Sequence, residues 1–138
     1  MEAEAIVGLI EMISKDSSVS NWDSPDKIRI ITFYQGQVNL LKRDLAGKGF
    51  HGVLVATVDS SQGCEADVVI ISFVRSNSKK GVRHAAGFLC DNRRINVALT
   101  RPRHQLICVG NATGTLGSEG SEALKNLVTD AKQRKCLV

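Results

Sequence analysis

No apolar run in this 138-residue chain approaches the roughly twenty residues that cross a bilayer as a helix, so no membrane partner is expected. The first residues, Met1 to Ala5, are acidic, which argues against a secretory signal. The four cysteines, Cys64, Cys90, Cys108 and Cys136, form no C-x-x-C pair, and the three histidines, His51, His84 and His104, are scattered. No metal site is expected from that spacing. Free thiols without an export signal favour a reducing compartment, cytoplasmic or nuclear. Cys108 sits in an apolar run and reads as core rather than as a reactive thiol. There is no internal repeat and no low-complexity tract. Two chemical signatures are also missing. One is G-x-x-x-x-G-K-[ST], the loop and lysine that cradle nucleotide phosphates. The other is a D-E-x-x dyad for magnesium binding and water activation.

What is present is globular. Hydrophobic residues make up 43% of the chain, enough for a core, and the length suits one domain. The net charge of +4 is compatible with nucleic acid, but solubility alone accounts for it. Apolar residues Ile6, Leu9, Ile10 and Ile13 give Met1–Lys15 one helical face. Residues 16–27 are polar, contain Pro25 and read as a loop. Ile28–Phe33 is a β-branched run and reads as a buried strand. Gln37–Ala46 is helical in pattern, with Gly47 and Gly49 to stop it. Val53–Val58 and Asp67–Val74 read as further strands, joined by a turn-rich connection at Asp59–Ala66 with room for a short helical turn. Arg75–Cys90 is a long basic loop, Asn92–Thr100 a helix, Gln105–Gly110 a fourth strand and Ser121–Gln133 a closing amphipathic helix. This alternation predicts an α/β, three-layer domain with a mainly parallel sheet. Working loops in such sheets lie beyond the strand C-termini, which directs attention to the segments after Phe33, Val58, Val74 and Gly110.

Two segments carry unusual chemistry. Asn92–Arg101, N-R-R-I-N-V-A-L-T-R, puts three arginines on an apolar-patterned helix. Arg101 closes it immediately before Pro102, which should end the helix sharply. A guanidinium there suits phosphate oxygens and keeps its charge near neutral pH. The plainer role for such an arginine is to satisfy the last helix carbonyls. Val58–Glu65, V-D-S-S-Q-G-C-E, places a carboxylate, an amide and hydroxyls in one Gly-containing turn. Gly63 would let the backbone approach a ligand or adopt a positive φ. Thr57, Asp59, Ser60 and Ser61 supply short polar groups at a strand end, able to hold nucleic-acid phosphates or simply to form an ordinary Ser turn.

In this order and spacing the two segments resemble motifs VI and V of superfamily 1 helicases. The likeness is to the branch with the nonsense-mediated-decay helicase and the immunoglobulin mu-binding helicase. Tyr34-Gln35-Gly36-Gln37 resembles motif IV, with Phe33 where that family usually has proline. Arg75-Ser76-Asn77 and Gly87-Phe88-Leu89 are similar to the family's V-R-x-N and G-F-L. Pro102 departs from the family's T-R-A-R. The likeness runs from the first helix through Val109–Asn111 and covers only the second of the family's two RecA-like domains. It implies a RecA-like fold of the P-loop NTPase type without its own P-loop.

The resemblance also implies roles. Arg101 would act on the transferring phosphoryl group, and Glu65, Gln62 and Gly63 would lie at the nucleotide. Tyr34, Gln37, Thr57, Asp59, Ser60 and Arg75 would line a groove for single-stranded RNA or DNA. Arg93 and Arg94 would brace the motif V loop through carboxylates such as Glu65 or Asp91. ATP and magnesium would be bound by the intact two-domain enzyme, and by this monomeric domain only weakly. The alternative is a non-catalytic module, derived from a helicase, that binds nucleic acid or a protein on its own.

Overall fold

A computed structural model describes residues 2–16, 21–61, 65–73, 92–110 and 122–136. Helix α1 is Glu2–Lys15 and strand β1 is Ile28–Thr32; helix α2 is Gln35–Gly47 and strand β2 is Leu54–Thr57. A single 3-10 turn at Asp59–Ser61 precedes strand β3, Ala66–Ser72. Helix α3 is Asn92–Leu99, strand β4 is Pro102–Val109 and helix α4 is Glu122–Gln133. Among the described residues four strands form one sheet in the order β2-β1-β3-β4, and every pairing there is parallel. The fold is therefore the α/β parallel-sheet arrangement that the alternation of elements predicts, and it is consistent with the RecA-like fold that the resemblance implies.

Alternation of side chains along β1 and β3 builds the two cores. Ile28 and Ile30 on β1 and Ile70 on β3 meet Ile6, Val7 and Ile10 of α1 and Val38, Leu41 and Leu45 of α2. Ile31, Val69 and Ile71 point the other way, against Ile95 and Ala98 of α3 and Leu124 and Val128 of α4. All five β1 residues are buried, as an inner parallel strand requires. Helices thus cover both faces of the sheet.

Local chemistry sets the ends. Glu2 and Glu4 occupy the first turn of α1 and Lys15 its last, matching the helix dipole. Helix α2 ends with Gly49 at φ +85°, its N–H on the Ala46 carbonyl and the Phe50 N–H on Leu45. These paired bonds close the helix, and only glycine takes that backbone without strain. The sequence reading places both ends of several elements within one or two residues. The larger difference is β4, which starts at Pro102 rather than Gln105. Proline has no N–H to donate, so the first residue of an edge strand tolerates it. The helix before it stops at Leu99, as expected of a proline at this point. A second correction concerns Cys108, expected in the core, which is exposed on β4.

At the N-terminal edge of the sheet, Asp67 gathers the strand starts. Its carboxylate pairs with Lys27 at 3.2 Å and with Arg103 at 2.9 Å, and His104 Nε2 lies 3.7 Å from it. Arg103 also donates to the Asp26 carbonyl at 2.8 Å, and the Asp67 N–H donates to the same carbonyl at 3.0 Å. The hydrogen bonds from Arg103 and then Lys27 hold the Asp67 carboxyl below its ordinary value. No helix among the described residues is long and apolar enough to cross a membrane.

Two outcomes follow from this packing. Ile70 is fully buried in β3, so Ile70→Ala should destabilise the domain by about 2–5 kcal/mol in urea unfolding. The lowered Asp67 pKa means that its contribution is present above the ordinary value of 3.8 and is lost as pH falls through the folded value. Asp67→Asn should remove that part of the acid dependence, read as a flatter melting temperature between about pH 5 and about pH 2.

Candidate functional site

The two ends of the sheet divide the sequence-predicted residues. Helix α3 runs back against the strands and delivers its C-terminus to the point where β4 begins. Pro102 is the Cα partner of Ala66 in the β3–β4 ladder, and the Ala66 N–H donates to the Arg101 carbonyl at 3.3 Å. Glu65 and Arg101 therefore stand immediately before paired residues on adjacent strands, at the N-terminal edge. Both residues thus lie opposite the edge of strand C-termini, where the sequence reading looked for working loops. The reason is the short connection between β2 and β3, which leaves one edge at Ser61 and reaches the other at Glu65.

At this edge Glu65 is exposed and Arg101 is half-buried. The Arg101 Nε donates to the Val97 carbonyl at 3.0 Å, and one of its terminal nitrogens donates to Thr100 Oγ1 at 3.3 Å. Thr100 Oγ1 in turn donates toward the Asn96 and Val97 carbonyls, at 2.8 and 3.1 Å. Arg101 thus satisfies a last helix carbonyl, the plainer of its two roles. Its second terminal nitrogen makes no hydrogen bond with a described residue. A guanidinium beside a carboxylate on one exposed edge can serve phosphate and hydroxyl groups of one ligand.

Tyr34, Gln37, Thr57, Asp59 and Ser60 lie at the C-terminal edge, where β1 and β2 end. Tyr34 is the residue before α2, with extended φ −129° and ψ 132° and no side-chain cap on the helix. Its ring packs against the core cluster that includes Ile31 and Phe33, and burial pushes its hydroxyl above the ordinary value. Gln37 turns inward. It is only 8% exposed, and its amide donates to Ser72 Oγ at 3.4 Å. The groove contact expected of Gln37 is thus not presented to solvent.

Thr57 and Ser60 form a closed turn. The Thr57 N–H donates to Ser60 Oγ at 3.1 Å, and the Ser60 N–H to Thr57 Oγ1 at 3.3 Å. The two hydroxyl oxygens are 2.9 Å apart, and Ser60 Oγ also donates to the Thr57 carbonyl at 3.1 Å. Ser61 Oγ donates to the Val58 carbonyl at 2.8 Å. With Ser60 donating to the carbonyl, Thr57 is left to donate to Ser60. Both hydroxyl protons are then used inside the turn, and the outward-facing capacity is a lone pair on Thr57. This is the ordinary Ser turn, built where the sequence allowed either that or a phosphate contact.

Arg94, in the first turn of α3, pairs with Asp59 at 3.4 Å. The sequence reading expected Arg93 and Arg94 to brace this loop, and for Arg94 the observed partner is Asp59 rather than Glu65, which lies at the other edge. Gln62, Gly63, Arg75 and Asp91 lie outside the described residues. Sequence reasoning did not single out Ser72, the buried hydroxyl that accepts from Gln37, whose only signal was its place at the end of an apolar strand. Among the described residues no group of three or more His, Cys, Asp or Glu is placed to hold a metal ion.

Comparison with known proteins matches residues 1–113 to the AAA domain family AAA_12. The chain is 41% identical over 121 residues to the regulator of nonsense transcripts 1 homolog of Arabidopsis thaliana, covering 83% of this chain and 9% of that protein. It is 38% identical over 139 residues to helicase sen1 of Schizosaccharomyces pombe, covering 97% of this chain and 8% of that one. It is 46% identical over 87 residues to the DNA polymerase alpha-associated DNA helicase A of Saccharomyces cerevisiae, covering 62% of this chain and 12% of the relative. The chain spans about a tenth of the length of the curated relatives it matches. This chain belongs to the AAA domain family AAA_12, in the superfamily 1 helicase branch that contains the regulators of nonsense transcripts.

Proposed function

We propose that this chain is the second RecA-like domain of an ATP-dependent superfamily 1 helicase and works against a first domain that carries the P-loop. The observation that carries this reading is the segregation of residues described above. Glu65 and Arg101 share one edge of the sheet, while Tyr34, Thr57, Asp59 and Ser60 share the other. A motor needs two surfaces of this kind, one for nucleotide and one for the strand. The relatives support it further, since their names include helicases.

On the nucleotide side Arg101 is the phosphate-directed group. To reach a γ-phosphoryl group it must leave the Val97 carbonyl and Thr100, a cost of about 1 kcal/mol for solvent-reachable bonds. An arginine that stabilises phosphoryl transfer is worth about 10³–10⁵ in rate, so that cost is small against the gain. The Glu65 carboxylate matches ribose hydroxyls better than phosphate, because it accepts rather than donates. ATP with its magnesium ion supplies the transferable phosphoryl group, and the first domain holds the metal. Domain closure on ATP and opening after hydrolysis would move a single strand, with RNA the first choice of substrate and DNA the second.

On the strand side the uncapped start of α2 would meet the phosphate backbone, and the Thr57–Ser60 turn would do so only by exchanging its internal hydrogen bonds for phosphate oxygens, since both its hydroxyl protons are already used. Backbone contacts of this kind position a strand and read no bases. A lone domain presents one wall of each cleft, so its grip on either ligand is weak.

Three measurements test this reading. The isolated chain should release no phosphate from ATP in the presence of poly(U), and turnover that disappears in Arg101→Ala would overturn the two-domain reading. Its affinity for a single-stranded oligonucleotide should be weak and fall as salt rises, with a log–log slope of about −0.7 per phosphate contact. Tight, salt-insensitive binding would favour the stand-alone module. In a fusion that restores a P-loop domain, Arg101→Ala should reduce turnover by at least about 10², and Arg101→Lys should not rescue it, since lysine lacks the planar fork. Oligonucleotide affinity without nucleotide should hold in both variants. A lower melting temperature with unchanged turnover would leave Arg101 as a helix cap only.

A further inference from the structure

Strands β3 and β4 pair residue for residue from Val68 with Gln105 to Ser72 with Val109, and before that Ala66 pairs with Pro102. Between those pairings β3 advances by two residues and β4 by three. Strand β4 therefore carries one extra residue, within Arg103–His104, opposite Asp67. A bulge of this kind takes a residue out of the ladder and re-aims the chain beside it. The side chains agree. Consecutive residues of a regular strand point to opposite faces. Here Arg103 Nε donates to Asp67 Oδ1 at 2.9 Å, and His104 Nε2 lies 3.7 Å from the same oxygen.

The extra residue decides where Arg101 stands. Continued backward without it, the Val68–Gln105 register would set Arg103 opposite Ala66 and Pro102 opposite Glu65. Arg101 would then fall one position behind Glu65, and a slip of one residue turns a side chain to the other face. With the bulge, Arg101 precedes Pro102 as Glu65 precedes Ala66, and the Ala66 N–H reaches the Arg101 carbonyl at 3.3 Å. The two residues are level because β4 is one residue longer than its partner at this point.

Arg103 is placed to hold that irregularity. One of its terminal nitrogens donates to the Asp26 carbonyl at 2.8 Å, and the Asp67 N–H donates to the same carbonyl at 3.0 Å. Asp26 stands two residues before β1, and β3 lies between β1 and β4. The guanidinium thus reaches from the bulge across the start of β3 to the approach of β1. Lysine would keep the charge but not the planar fork that makes two bonds in fixed directions. Lys27 holds the other Asp67 oxygen at 3.2 Å and supplies a control of the same charge. We propose that Arg103, clamped between the Asp67 carboxylate and the Asp26 carbonyl, is a positioning residue that holds the β4 bulge and keeps Arg101 level with Glu65. The register stands on geometry alone; that the alignment serves phosphoryl transfer rests on the function proposed above.

The test uses the whole chain with Arg103→Ala, Arg103→Lys and Lys27→Ala. Amide hydrogen exchange is followed at Ala66 and, for comparison, at Val69 to Ile71. Loss of the clamp predicts exchange at Ala66 faster by about 2- to 10-fold relative to Val69–Ile71, in both Arg103 variants. Lys27→Ala should leave that ratio near wild type. Rescue by lysine, an equal effect from Lys27→Ala, or faster exchange spread evenly along β3 would overturn the proposal. Arg103→Lys supplies the reading if Arg103→Ala fails to fold. In the fusion that restores a P-loop domain, Arg103→Lys should lower turnover by about 2- to 10-fold and leave oligonucleotide affinity unchanged. On an Arg101→Ala background it should lower turnover no further, because it acts through Arg101. A further loss there would make Arg103 act on its own and would also overturn the proposal. If Arg101→Ala alone is silent in the fusion, the phosphoryl-transfer role falls, and the exchange ratio at Ala66 still decides whether Arg103 holds the register.

Discussion

The ladder between β3 and β4 is the constraint on which the arrangement of this domain depends. Five β3 residues from Val68 to Ser72 are matched one for one by Gln105 to Val109, and the register shifts once between Ala66 and Val68. That shift allows Pro102 to stand opposite Ala66 although it cannot donate to the ladder. A ladder that began at Gln105 would leave Arg101 on a loose tether of three residues. Beginning at Pro102, it fixes the backbone of Arg101 against the residue that follows Glu65. The Asp67 cluster reinforces the same edge, because Arg103 reaches both its carboxylate and the Asp26 carbonyl.

Much of this was legible in the sequence, for identifiable reasons. The β-branched run Ile28–Thr32 and the apolar run in β3 could be buried on both faces only in a covered parallel sheet. Gly49 announced the end of α2 because a positive φ has few other occupants. Arg101, Glu65 and the Thr57–Ser60 turn stood out because their residue types occur in an ordered series along the chain. What stayed hidden was which edge each would occupy. Sequence order says that Glu65 follows β2, and only the pairing of β3 with β4 shows that it stands at the same edge of the sheet as Arg101. The inward turn of Gln37 onto Ser72 was invisible for a similar reason. Gln37 and Ser72 are thirty-five residues apart, and no periodicity relates them.

The motif residues are engaged with their own neighbourhood. The Arg101 guanidinium caps a helix, the Thr57 and Ser60 hydroxyls bond each other, and Asp59 pairs with Arg94. Each of these contacts is exposed or partly exposed and individually worth little. A ligand that offers a better partner can therefore displace any of them at small cost, while the buried sheet beneath does not move. Cheap local contacts above a rigid support are what separates a resting arrangement from a fixed one.

Helix α3 has only eight residues, about 12 Å of rigid length. Its first turn is tied through Arg94 to Asp59 at one edge of the sheet, and Arg101, two residues past its end, bonds back to the Val97 carbonyl at the other. Ile95 and Ala98, fully buried, press its middle against the core. Too short to bend and closed off by Pro102, the helix behaves as a strut with a handle at each end. Tilting it about the buried middle moves the two handles in opposite senses. If the helix tilts as one body, a pull at Asp59 and a pull at Arg101 are coupled, and the coupling is equal in both directions.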